Sequence, residues 1–118
     1  LVATLVFEAE EKLNWATRAL EREAWADAIY HTYSVFISSA KAMLLDKGIN
    51  SSTQIGTIKD FDTNYVESGD FPIDGTFADL VLKINKQEPS ALFAQEYIDS
   101  AGEFLKLIKT RREALLQS

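Results

Sequence analysis

The stretch from Ala24 to Gly48, AWADAIYHTYSVFISSAKAMLLDKG, sets the terms for the whole chain. Its bulky apolar residues fall at Trp25, Ile29, Tyr33 with Phe36, Ala40 and Met43/Leu44, a spacing of three and four that lines them up on one face of a helix. A second stripe, Ala24, Ala28, Thr32, Val35, Ser39 and Ala42, is made mostly of small residues. A helix that is apolar on both sides must be covered on both sides, which predicts the central helix of a bundle.

The other helices follow from the same period. Helix one is expected over Ala3–Leu20, with Leu5, Ala9, Leu13, Ala16 and Leu20 inward and Trp15 covering the edge of that stripe. A short break at Glu21–Glu23 predicts an antiparallel helical hairpin. Gly48 reads as the left-handed residue that ends helix two, with Ile49 making the accompanying apolar contact. Asn50-Ser51-Ser52 has the form of a glycosylation sequon, but its plain reading is a turn leading to an N-cap at Thr53. Helix three is expected over Thr53–Glu67, with Ile55, Ile58, Phe61/Asp62 and Tyr65 inward. Gly56 within it costs helix propensity, which close approach to another helix would offset. Phe71 and Ile73 lie in an extended connection and are expected to plug into the bundle. Helix four covers Thr76–Lys86 and helix five Ser90–Leu116, with Pro89 the sole punctuation between them, so one kinked element is an alternative. No alternation of period two persists, so the fold class is all-α: an up-and-down bundle of four to five helices forming one domain over residues 1–118.

Composition narrows the function. With 47% apolar residues in 118, the chain can bury a core. The absence of cysteine removes disulfides and thiolate metal sites and points to a reducing, cytoplasmic setting. A net charge of −6 disfavours DNA as a partner, and no apolar run reaches the roughly 20 residues that span a bilayer. The opening LVATLVF carries no initiator Met and no signal-peptide pattern, which is expected of a piece of a longer polypeptide.

Few residues offer chemistry. His31 is the sole histidine, and Asp27 stands four residues before it, a spacing that permits a carboxylate–imidazole hydrogen bond on a helix. Ala28 occupies the place of the glutamate in a Glu-x-x-His pair, so a histidine-based metal site is not expected. Glu8/Glu11 and Glu96/Asp99/Glu103 read as solvated helix faces. The five glycines are scattered, so no phosphate loop is present and no cofactor is implied. Tyr30, Tyr33 and Phe36 are most simply core; left uncovered, they would form a dimer interface.

Lys41-Ala42-Met43-Leu44-Leu45-Asp46-Lys47-Gly48, then Thr53-Gln54-Ile55-Gly56, then Phe61 with Tyr65-Val66 and Gly69 form a run that resembles the small prokaryotic HEPN domains. The resemblance covers the middle third of the chain best and implies a helical bundle, often dimeric, with roles in RNA cleavage, nucleotide binding or partner contact. HEPN nucleases carry Arg-x(4–6)-His; for His31 the arginine would stand at 24, 25 or 26, and these are Ala24, Trp25 and Ala26. The nearest upstream arginine, Arg22, is nine residues away on the opposite face. Gln54 replaces the histidine of the loop motif. The resemblance therefore implies a scaffold without catalytic residues, acting as an interaction, dimerisation or regulatory module of a larger protein. Nucleotide binding and a toxin-type ribonuclease are the alternatives. Its contacts with a ligand, a homodimer partner or another domain would be drawn from Asp27, His31, Lys41, Lys47 and Gln54. Some HEPN domains are C-terminal appendages of nitrite/sulfite reductase-like proteins, one setting such a piece could come from.

Overall fold

The computed structural model describes residues 1–117, in which α1 (Val2–Glu21), α2 (Trp25–Asp46), α3 (Gln54–Phe61), α4 (Phe77–Val81) and α5 (Ala91–Gln117) build an all-α bundle. No strand is present among the described residues. α2 lies against α1, α3 and α5 and so holds the central place its two stripes require. Both stripes are covered: Ile29, Phe36, Ala40, Met43 and Leu44 on one side, and Ala28, Thr32, Val35, Ser39 and Ala42 on the other, are all buried. The small stripe lets neighbouring backbones come close. On α1 the most deeply buried residues are likewise small, Ala9, Ala16 and Ala19 with Val6, while Leu5, Leu13 and Leu20 flank them half-buried.

The hairpin turn between α1 and α2 and the end of α2 use the same geometry with different residues. At the end of α2, Gly48 (φ 77°) donates its N–H to the Leu45 carbonyl and Ile49 to the Leu44 carbonyl, each at 2.9 Å. At the end of α1, Glu23 takes the equivalent place at φ 62°, donating to Leu20 at 3.0 Å while Ala24 donates to Ala19 at 2.9 Å. A left-handed backbone costs an L-residue with a β-carbon about 1–2 kcal/mol, a cost glycine escapes. Glu23→Gly is therefore expected to stabilise the protein by about 1 kcal/mol, offset in part by glycine's freer unfolded state. A higher midpoint in urea with an unchanged slope would show this, and an unchanged or lower midpoint would refute it.

The expected third helix is two elements. α3 passes at Asp62 into a π turn, Asp62–Val66, in which the hydrogen bonds skip one residue further than in an α-helix. Ile58, Phe61 and Tyr65 face inward as expected, but Ile55 is exposed, while Thr57 two residues on is the one its first turn buries. Gly56 is tight for a reason other than a neighbouring helix. Its N–H donates to the Thr53 hydroxyl at 2.9 Å, and a β-carbon there would sit 2.8 Å from that same oxygen. Phe71 is buried and Ile73 half-buried, so the connection does plug the bundle. α4 and α5 are separate, divided by a 3-10 turn (Leu82–Asn85) and by Pro89, after which the Ser90 hydroxyl accepts from the Phe93 N–H at 3.1 Å.

The centre is a cluster of rings. Phe61 lies 4.6 Å from Phe77, 5.1 Å from Tyr65 and 5.4 Å from both Phe71 and Phe104. Phe104 in turn meets Phe36 and Phe77. The buried phenols are satisfied by backbone: Tyr65 donates to the Met43 carbonyl at 2.6 Å and Tyr97 to the Val81 carbonyl at 2.5 Å. Burial raises the pKa of both hydroxyls well above that of a free tyrosine, that of Tyr65 to about 12.

Candidate functional site

Because α1 and α2 are antiparallel and tightly joined, Trp15 comes opposite His31 and Lys12 opposite Ser38. The Trp15 and His31 rings meet edge-on at 5.8 Å, and Tyr30 meets the same imidazole edge-on at 6.3 Å. Trp15 is 46% exposed and Tyr30 66% exposed, so this side of the hairpin shows an aromatic face to solvent. Tyr30 is thus not the core residue its spacing suggested. It stands exposed on α2 beside His31, whose ring Trp15 of α1 meets from the other side.

The five residues singled out in the sequence fall in four places. Asp27 and His31 belong to this face, where Asp27 is exposed and His31 half-buried. No hydrogen bond joins them among the described residues; His31 is held by the two rings instead. Lys41 stands further along the same side of α2, in a depression of about 370 Å³ beside Leu5, Glu8, Leu45, Ile49 and Ser51. Lys47 is taken up by the fold: its ammonium donates to the Asn64 carbonyl at 3.0 Å, lies 3.6 Å from the Asp70 carboxylate and sits 4.2 Å over the Tyr65 ring. Gln54 accepts from the Tyr33 hydroxyl at 3.2 Å at the open start of α3. Burial raises the pKa of that phenol.

The sequence predicts Trp15 at the edge of the α1 stripe and Tyr30 in the core or, left uncovered, at an interface; their meeting around His31 is what it does not show. The polar residues Asp27, His31, Ser34, Ser38 and Lys41 recur at three and four along this side of α2, exposed at Asp27 and closed over by Lys12 of α1 at Ser38. The acidic sets Glu8/Glu11 and Glu96/Asp99/Glu103 are exposed. Among the described residues no three or more His, Asp or Glu side chains gather where they could hold a metal ion, and no helix is long and apolar enough to cross a membrane.

The HEPN domain profile matches residues 2–113, nearly the whole chain. The chain belongs to the HEPN family. A protein of Methanocaldococcus jannaschii named "Putative toxin MJ0605" is 35% identical over 68 residues, 58% of this chain and 51% of that protein. The matched part thus spans about half of that relative's length. No solved structure matches the chain. In this HEPN domain His31 makes ring contacts but no hydrogen bond or ion pair among the described residues, and the positions from which the family's nuclease arginine would come hold Ala24, Trp25 and Ala26.

Proposed function

We propose that this chain is a non-catalytic HEPN domain that works by association, as an interaction or regulatory module of a larger protein, with the exposed α1–α2 face as its contact surface. The observation that carries the reading is the Trp15–His31–Tyr30 cluster, which leaves two large aromatic side chains uncovered around an imidazole with no guanidinium partner. Aromatic residues that are costly to leave in water are enriched at protein interfaces, and a buried Trp or Tyr there carries a large share of the binding energy. In-line cleavage of a phosphodiester needs a proton-transfer group and a cation on the developing charge. Here the first is present and the second is missing from its place in the sequence.

Two measurements test this. The purified protein is expected to leave single-stranded and structured RNA intact, at the rate of buffer alone and unaltered by His31→Ala. Cleavage that disappears in His31→Ala would overturn the reading. In the full-length polypeptide, amide hydrogen exchange is expected to be slowed across residues 12–15 and 27–34. A toxin-type ribonuclease is the second reading. It is favoured by the name of the M. jannaschii relative and by the half-open position of His31, and the same RNA experiment decides it.

A further inference from the structure

Glu8 on α1 and Lys41 on α2 stand on opposite walls of the hairpin, one turn beyond the Lys12–Ser38 hydrogen bond that marks the register of the two helices. Between them opens the depression of about 370 Å³, with Leu5, Leu45 and Ile49, each half-buried, as its apolar wall. Ser51 closes one side, its hydroxyl committed to the Asp60 carboxylate. Glu8 and Lys41 are the charged side chains that line the hollow, and neither makes a hydrogen bond or ion pair among the described residues. Ligand pockets run from about 300 to 1,000 Å³, so this one suits a small molecule.

We propose that this hollow binds a free apolar α-amino acid of about the size of leucine. Its carboxylate accepts from the Lys41 ammonium, its own ammonium donates to the Glu8 carboxylate, and its side chain lies against Leu5, Leu45 and Ile49. The pair of unpartnered opposite charges selects this chemistry. An apolar acid satisfies Lys41 but brings a second negative charge beside Glu8, and an apolar amine makes the converse error at Lys41. An uncharged hydrocarbon strips water from both charges and returns no hydrogen bond. A zwitterion meets both at once, through charge-assisted hydrogen bonds, the stronger kind. The inference goes beyond the association reading and does not depend on it, since Lys41 lies ten residues, about 15 Å, along α2 from His31.

Leucine can be taken apart chemically without altering the protein, so the test does not hang on a variant that folds. On titration with L-leucine, amide chemical shifts are expected to move at residues 4–8 and 41–51, with a Kd of about 0.1–1 mM, as suits a ligand of so few atoms. 4-Methylpentanoate is leucine without its ammonium, and 3-methylbutylamine is leucine without its carboxylate. Each is expected to bind about tenfold more weakly or worse, and glycine, which has no side chain for the apolar wall, to leave the spectrum unchanged. Glu8→Gln is expected to weaken leucine by about tenfold while binding 4-methylpentanoate at least as well as the parent does. No shift with leucine, isoleucine, methionine or phenylalanine at millimolar concentration overturns the proposal. So does 4-methylpentanoate binding as tightly as leucine, or a leucine affinity that Glu8→Gln leaves unchanged. None of these results bears on the association reading, which the RNA and exchange measurements decide separately.

Discussion

Phe61→Ala is expected to lower the unfolding free energy by about 3–5 kcal/mol, a large part of the stability a domain of this size has. The ring is fully buried, and the four rings around it come from the π turn, the connection after it, α4 and α5. Removing it therefore opens a cavity bounded by four separate parts of the chain, which cannot all close in together. Each aromatic pair adds about 0.5–1.5 kcal/mol beyond its buried area, so loss of several pairs pushes the effect to the upper part of that range. Urea denaturation of Phe61→Ala beside Phe61→Leu measures it. The leucine variant keeps most of the volume and is expected to lose far less. An alanine variant within about 1 kcal/mol of the parent would mean that the cluster repacks around the gap and that Phe61 does not join these elements.

Asp62→Ala is the second large effect, expected at about 2–3 kcal/mol. The Asp62 carboxylate reaches across the chain to the start of α4, accepting from the Phe77 N–H at 2.7 Å and the Ala78 N–H at 3.0 Å. These are two of the N–H groups that a helix leaves without partners at its first turn, and a negative charge there is favoured by the helix dipole. The third, from Asp79, goes to the Thr76 hydroxyl at 3.0 Å. Losing the carboxylate strands two part-buried donors at once, so hydrogen exchange at Phe77 and Ala78 should accelerate well beyond the change at Ile58 in α3. Thr76→Ala removes one local cap and is expected to cost about 1 kcal/mol. Should Asp62→Ala prove no worse than Thr76→Ala, water rather than the carboxylate would be serving those donors.

Much of this architecture could be read from residue spacing because the relevant physics is local. The two stripes of α2, the Gly48 ending with Ile49 behind it, and the Ser90 cap after Pro89 each depend on residues within one or two turns of one another. Ile55 and Tyr30 show where that stops. Periodicity says which side of a helix a residue is on, but a side is buried only if another element covers it, and these two sides are open. Asp62 reads as a polar neighbour of Phe61, because nothing nearby reveals partners at Phe77 and Ala78. Lys47 could be noticed as a free cation beside a glycine, yet its ligands at Asn64, Tyr65 and Asp70 come from the far side of a loop. The candidate site was legible only in part for the same reason. His31 stood out by its chemistry, whereas Trp15 became its neighbour through the hairpin.

The molecule measures 42 × 25 × 25 Å along its principal axes, its long dimension close to that of the 27-residue α5, about 40 Å. A short rod of this kind constrains how pairing shows itself in solution scattering. Two copies laid flank to flank broaden the particle while leaving its greatest span near that of one copy, whereas joining tip to tip nearly doubles that span. The distance distribution of the scattering curve thus reports the contact geometry without any label, because α5 acts as a built-in ruler.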